Sequence, residues 1–322
     1  MNILFYSHLV AEFPEIVLPL KESFPEHQFT YAQNKDEYRE GLKSAHVLIY
    51  GNLSPEDADI AVNLKLLIIP FSGTAHLDLN FFRKRGILAA NSPGNGPIVA
   101  ERALALAMAA CGRVVEFHTD MAAGNWHRTG KPLKPFDYWF SMQGKQVSIL
   151  GTGDIGQGIA KLLSGFDCKI KGYRRETVVP QYFDSVTSSI DEALEFAEIL
   201  FIALPINPET DNLINQSNID KLTGSFLINV GRGKIVNEEA LYDALSSGKI
   251  VGAGLDVWYD YPSKAQPQAT GSKLPFHKLP NVVISPHAAS HSPEGKQGQL
   301  IGVLKALESY LKNGTAGTEV LI

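Results

Sequence analysis

Lys145-Gln-Val-Ser-Ile-Leu150 runs straight into Gly151-Thr-Gly153-Asp-Ile-Gly156, and this junction decides the reading of the fold. An apolar strand enters a glycine-spaced turn that opens a helix. Gly151 permits the tight turn, Gly153 lets backbone approach a pyrophosphate, and Gly156 lets helix and strand pack closely, while the helix N-terminus offers free N–H donors and positive dipole. Ile155, Ile159, Leu162 and Leu163 fall on one face of that helix, and Gly165 stands where a cap is expected. A second strand, Lys169 to Tyr173, closes the first half of a βαβ unit. Three glycines alone can be a turn that binds nothing; the strand–turn–helix–strand context favours a dinucleotide.

Which dinucleotide is read at the end of the second strand. An acid there accepts hydrogen bonds from the ribose 2′-hydroxyl of NAD, but this chain has Arg174 and Arg175. Guanidinium groups pair with a 2′-phosphate and stack on adenine, which predicts a preference for NADP(H), with NAD still possible. The alternative is a solvated basic turn in which Glu176 supplies the acid slightly late.

With 322 residues there is room for two ordinary domains, and a formal charge of −5 argues against a general nucleic-acid binder. No long apolar run suggests a membrane span, and Met1-Asn-Ile-Leu-Phe-Tyr6 begins as a strand without a basic leader. The two cysteines, Cys111 and Cys168, are too few for a disulfide framework and read as buried thiols of a cytoplasmic protein. No metal site is assigned.

Toward the N-terminus, Ile3 to Tyr6, Phe29 to Tyr31, Val47 to Tyr50 and Leu66 to Ile69 read as strands separated by helices, the clearest starting at Ser54 with Pro55 at its first position. This alternation predicts a parallel sheet covered on both faces, a smaller companion domain. Phe71-Ser72-Gly73-Thr74-Ala75-His76-Leu77-Asp78 follows a strand end, and N–H groups around Gly73 form a candidate nest for a carboxylate; an ordinary βα connection is the alternative. Asn91-Ser-Pro-Gly-Asn95-Gly-Pro97 is dense in breakers and reads as a hinge, after which a helix is expected from Pro97 to about Met121, apolar in several directions through Val99, Ala103, Leu104, Leu106 and Met108. Trp126, His127 and Tyr138 follow and are assigned to packing or an interface rather than chemistry.

Beyond the glycine turn, strands are expected at Ile199 to Ala203, Ser225 to Asn229, Val251 to Val257 and Val282 to Ile284, with Asn237 capping a helix that Gly248 terminates and Ser292-Pro293 opening the last helix, lined by Leu300, Val303, Leu304, Leu307 and Leu311. Three strand ends carry polar groups that a structural sheet does not require: Arg232, the segment Asp256 to Tyr261, and His287. All are expected at the carboxyl edge that holds the glycine turn. Hydride transfer to a 2-keto acid needs a cation to grip carboxylate and carbonyl and a group to protonate the developing alkoxide. Arginine stays charged and histidine titrates near neutrality, so the pair suits both roles.

Taken together, Arg85-Gly86-Ile87 through Val99-Ala100-Glu101, Gly151 to Ile159, Leu204-Pro205 to Leu213-Ile214, Leu227 to Leu241, Gly252 to Val257 and Ser285-Pro286-His287 resemble the D-isomer-specific 2-hydroxyacid dehydrogenase family over nearly the whole chain, in the family's order. The resemblance implies an α/β protein of two doubly wound parallel-sheet domains, a Rossmann-type cofactor domain inserted into a smaller flavodoxin-like substrate domain. It places the substrate domain at 1–96 and 290–322 and the cofactor domain at 97–289, and implies a homodimer built on the latter. Residue by residue, Arg232 matches the substrate-binding arginine and His287 the acid/base histidine. Ser72, Gly73 and Thr74 match the turn that receives the carboxylate. Asp154 and Ile155 match backbone contacts to the pyrophosphate, Leu204, Pro205 and Val230 the cofactor groove, and Asp256 an aspartate near the nicotinamide carboxamide.

One match fails. Where the family usually has a glutamate bonded to the histidine, this chain has Tyr261, with Asp260 one residue earlier. A neutral phenol can orient an imidazole but cannot stabilise imidazolium as a carboxylate does, so Tyr261 is expected to hydrogen-bond His287 and to shift the reductase optimum toward acid. The alternative is that Tyr261 only packs while Asp260 reaches the histidine. The reading that results is an oxidoreductase moving hydride between NADP(H) and a small 2-keto or 2-hydroxy acid of the glyoxylate or hydroxypyruvate kind. A dinucleotide-binding regulator with weak or no dehydrogenase activity is the rival.

Overall fold

The computed structural model describes residues 1–74, 77–92, 94–126, 138–263, 266–318 and 320. Ala75, His76, Pro93 and His127, which entered the sequence reading, lie outside them. The chain separates into two compact units, Met1–Asn95 with His291–Ile322, and Gly96–Ser290. Among the described residues no helix is long and apolar enough to cross a membrane.

The first unit alternates β1 (Asn2–Phe5), α1 (His8–Glu12), α2 (Pro14–Ser23), β2 (Gln28–Tyr31), α3 (Lys35–Leu42), β3 (Val47–Ile49), α4 (Pro55–Ile60), β4 (Leu66–Ile69), α5 (Leu79–Arg85) and β5 (Leu88–Asn91). Its five strands are parallel in the order β2-β1-β3-β4-β5. Because side chains alternate along a strand, Leu66 and Ile68 enter a core with Val17 and Leu20, whereas Leu67 and Ile69 enter another with Tyr38 and Phe82. Both faces are thus apolar, as a parallel sheet requires. The helix ends follow the chemistry expected of them. Ser54 Oγ accepts from Asp57 N, and Gly86 ends α5 at a left-handed φ of 66°.

The second unit begins with α6 (Gly96–Cys111) and α7 (Val114–Ala122), then β6 (Gln146–Leu150), α8 (Asp154–Leu163), β7 (Lys169–Tyr173), β8 (Ser185–Thr187), α9 (Ile190–Phe196), β9 (Ile199–Ile202), β10 (Phe226–Asn229), α10 (Glu238–Ser246), β11 (Gly252–Leu255) and β12 (Val282–Ile284). The final helix, α11 (Pro293–Asn313), returns to the first unit, capped by Ser292 and buried through Leu300, Val303, Leu304 and Leu307. Seven parallel strands stand in the order β12-β11-β10-β9-β6-β7-β8. α6 and α8 supply Ala103, Ala107, Ile159 and Leu163 to one face, and α9 and α10 supply Leu194, Leu241 and Leu245 to the other.

Three local expectations are corrected. The helix expected from Pro97 to about Met121 is two helices, broken at Gly112 and at Arg113, whose φ of 52° is left-handed; a Cβ on Gly112 would stand 2.5 Å from Met108 O. Gly165 does not cap α8. A 3-10 turn, Ser164–Phe166, follows the helix and the left-handed residue is Asp167. Leu162, expected on the apolar face, is exposed, because the buried row is Gly156, Ile159, Ala160 and Leu163.

Candidate active site

The strand order of the second sheet reverses between β6 and β9, so the crevice between their carboxyl ends is where an α/β sheet accepts ligands. One wall is the glycine turn. Gly151 adopts φ 98°, and a Cβ there would lie 2.9 Å from Ala203 O at the end of β9; a Cβ on Gly156 would lie 2.0 Å from Gly151 O. Both positions therefore demand glycine for the turn to close. Gly153 differs, since a Cβ there meets nothing within 4 Å. It is exposed, caps α8 without any side-chain hydrogen bond, and leaves the first N–H groups of Asp154 and Ile155 to an outside acceptor. These features fit a pyrophosphate. Across the crevice stand Leu204 and Pro205, and Val230, buried at the end of β10, donates its N–H to Ile202 O at 3.1 Å.

Arg174 and Arg175 follow β7, and both are engaged. Arg174 pairs with Glu176 and donates Nη1 to Val178 O at 3.1 Å; Arg175 pairs with Glu209. Glu209 sits on a braced turn. Asn207 Oδ1 accepts from its N–H at 2.9 Å, and Thr210 Oγ1 donates to Pro205 O at 2.7 Å. A 2′-phosphate at this edge must compete with two carboxylates for the guanidinium groups.

Arg232 leaves β10 through a turn shaped by buried Asn229, whose Oδ1 accepts from Gly231 N at 3.0 Å and whose Nδ2 donates to Arg232 O at 3.0 Å. Gly233 next to it packs against backbone, a Cβ there falling 2.3 Å from Trp258 O. The turn is therefore rigid on both sides of the arginine.

His287 is held differently. Its φ of 55° puts an imidazole-bearing residue in the left-handed region. The anchor is Asp256, fully buried at the end of β11: Oδ1 accepts from Ser285 Oγ at 2.5 Å and Ala288 N at 2.9 Å, and Oδ2 from Ala289 N at 3.0 Å. Ser285 O accepts from Trp258 Nε1 at 2.8 Å, and Ser285 Oγ accepts from Arg102 Nη2 at 3.0 Å. No motif points to Arg102, while Trp258 enters the sequence reading only within the segment Asp256 to Tyr261 and Ser285 only within Ser285-Pro286-His287. For Arg102 the sequence carries no local signal, since its partner is 183 positions away.

Tyr261 meets His287 ring against ring, with centroids 5.4 Å apart at 55°. Its phenol oxygen accepts from Trp258 N at 3.1 Å. Burial pushes the hydroxyl above its ordinary pKa, against the pull of the Trp258 N–H and Arg232 and with the help of Asp256, so the group is neutral throughout the physiological range. Asp260 is exposed and its backbone N–H donates to Gly271 O at 3.0 Å. A cavity of about 480 Å³ is lined by Trp258, Tyr261, Ile284 and Pro286.

In the first unit, Ser72, Gly73 and Thr74 lie beyond the end of β4, partly or fully exposed. Ser72 O accepts from Asn91 Nδ2 at 2.8 Å and Thr74 O from Leu77 N at 3.0 Å.

Residues 104–289 match the family described as D-isomer specific 2-hydroxyacid dehydrogenase, NAD binding domain. A glyoxylate reductase of Thermofilum pendens is 35% identical over 80% of this chain and 77% of its own length. A hydroxypyruvate reductase of Thermotoga maritima is 29% identical over 82% of this chain and 84% of its own. Among solved structures, an NADPH-dependent glyoxylate/hydroxypyruvate reductase from Sinorhizobium meliloti in complex with citrate superposes with a TM-score of 0.75 at 25% identity, covering 99% of this chain and 97% of that one.

Proposed function

Since the chain belongs to the D-isomer-specific 2-hydroxyacid dehydrogenase family, we propose that it reduces a small 2-keto acid of the glyoxylate or hydroxypyruvate kind, with NADPH preferred and NADH accepted. The observation that carries this reading is the carboxyl edge of the second sheet, where the open glycine turn, the braced Arg232 and the Asp256-anchored His287 turn all follow parallel strands. When bound, the nicotinamide supplies the hydride. N–H groups of Asp154 and Ile155 with Gly153 hold the pyrophosphate, Leu204, Pro205 and Val230 line the groove, and Arg174 and Arg175 favour a 2′-phosphate. Arg232 grips carboxylate and carbonyl, and Ser72, Gly73 and Thr74 receive the carboxylate through N–H groups. His287 donates the proton to the developing alkoxide, oriented by the ring of Tyr261. The unit of 96–290 thus acts as the cofactor domain and the other as the substrate domain.

A homodimer through α6 and α7 is part of the proposal, supported by the exposed apolar side chains Met108, Val114, Val115 and Met121 on these two helices. A reducing cytoplasm is supported by the two free thiols, of which Cys111 is buried and pushed up to about 12 by that burial. The rival reading, a dinucleotide-binding regulator with weak or no dehydrogenase activity, draws no support from relatives that bear the names of reductases.

The test is oxidation of NADPH and NADH, in parallel, against glyoxylate, hydroxypyruvate, pyruvate and phenylpyruvate. NADPH-dependent turnover of one acid, lost by about 100-fold or more in His287→Ala, is the expected result. Tight NADPH binding with no turnover of any acid would overturn it.

A further inference from the structure

We infer that Arg102 is a positioning residue for the turn that carries His287, acting through the Ser285 hydroxyl and the Asp256 carboxylate. The inference rests on the proposed function only in taking His287 as the acid.

Packing explains how an arginine on α6 comes to that turn. Gly254 has no Cβ, and one built there would lie 2.9 Å from Leu106 Cβ, so the glycine lets α6 settle directly on β11. Arg102 is one helical turn before Leu106 on the same face, which carries its guanidinium to the end of β12. Although Arg102 is largely exposed, its Nη2 lies 3.0 Å from Ser285 Oγ.

Donor and acceptor chemistry then fixes every proton in the chain. A guanidinium only donates, so Ser285 Oγ must accept from Arg102; a hydroxyl has one proton, so that proton goes to Asp256 Oδ1. Asp256 also accepts the N–H groups of Ala288 and Ala289, the two residues that follow His287. The carboxylate therefore bonds to both sides of the histidine, and this bracket holds a residue whose backbone φ of 55° an unconstrained turn avoids. With an apolar residue at 102, the Ser285 hydroxyl is free to turn its proton elsewhere. The buried Asp256 then rests on two N–H donors and loses the charge that faced it across the hydroxyl. The bracket loosens on the Ser285 side, and the imidazole spends less time where it can protonate a substrate.

The experiment compares full-length parent, Arg102→Met and Arg102→Lys. Amide hydrogen exchange of the segment 285–290 is expected to be about tenfold faster in Arg102→Met, with exchange elsewhere in α6 and the sheet unchanged. With the 2-keto acid the parent turns over, kcat is expected to fall about tenfold, KM and the NADPH Kd staying within about twofold, and Arg102→Lys to recover most of the loss. Parent-like exchange at 285–290 in Arg102→Met would overturn the inference, as would faster exchange spread over the whole unit. If Arg102→Met does not fold, Ser285→Ala breaks the same chain at the hydroxyl and is judged by the same exchange. A parent that turns over no keto acid counts against the reductase reading, while the exchange result still decides the role of Arg102.

Discussion

The two sheets of this chain are built alike and end differently. Each is all parallel, and each reverses its strand order once, between β1 and β3 in the first unit and between β6 and β9 in the second. At the second reversal the loop after the strand is glycine-spaced, the helix that follows is capped by no side chain, and Gly153 faces open space. At the first, β1 is followed by Tyr6 and Ser7. Ser7 Oγ accepts from Leu9 N, so the helix caps itself, and Tyr6 stacks on Tyr38 at 4.5 Å and meets Tyr50 at 4.9 Å. A cavity of about 580 Å³ does open at that edge, lined by Tyr6, Tyr31 and Tyr50 with aliphatic side chains and with His8, Lys21 and Gln33, but no glycine is among its lining residues and so it offers no glycine nest. Topology makes a crevice in both sheets; the turn residues decide whether phosphate can enter it.

A side chain in the second turn should have the largest effect. Gly156→Ala places a Cβ 2.0 Å from Gly151 O, which the turn can relieve only by opening. The expected loss of NADPH affinity is at least about 100-fold, roughly 3 kcal/mol, read by fluorescence titration. Tyr38→Ala in the first unit is the counterpart: it empties a site 2% exposed and is expected to cost about 3–5 kcal/mol of stability in denaturant while leaving NADPH affinity within about twofold. If both variants weakened cofactor to the same degree, the division of labour between the two edges would be wrong.

The glycine turn was readable because its requirement is local: three positions without Cβ between an apolar strand and a helix, and caps such as Ser54, Asn237 and Ser292 announce themselves in the same way. The elements that escaped were those with weak or distant determinants. β8 is only Ser185-Val-Thr187 and shows no apolar run. The break between α6 and α7 hides in a helical pattern, because Gly112 is tolerated there until Arg113 takes a left-handed φ. Around His287, the motif named the histidine and Asp256, but the clamp depends on pairings such as Arg102 with Ser285 that only the folded chain brings together.

A tyrosine also stands at the working edge of the second sheet, and the comparison asks whether Tyr261 is filler, as the rings of the first unit are, or a participant. Its hydroxyl is pushed above the ordinary tyrosine range, by burial first, so Tyr261 stays neutral at physiological pH. On the proposed mechanism reduction uses protonated His287 and therefore declines as the imidazole loses its proton with rising pH. A carboxylate in place of the phenol favours imidazolium and raises that pKa, so Tyr261→Glu is expected to move the alkaline limb of kcat/KM upward by about one pH unit. A limb that stays in place would make Tyr261 packing alone.

The finest distinction lies at the adenosine end of the second crevice. Arg175 and Glu209 are exposed on both sides, 77% and 68%, and an ion pair in that setting contributes at most about 1 kcal/mol. If Arg175 holds the 2′-phosphate as proposed, that phosphate has to displace Glu209, whereas a 2′-hydroxyl has no need to. Glu209→Gln is therefore expected to tighten NADPH by up to about fivefold and leave NADH within about twofold, with the gain shrinking as salt screens the guanidinium. The turn that carries Glu209 is braced by Asn207 and Thr210, so the substitution changes charge without releasing backbone. A gain for NADH instead would mean that the carboxylate repels both cofactors alike, and discrimination would then fall to Arg174 with Glu176.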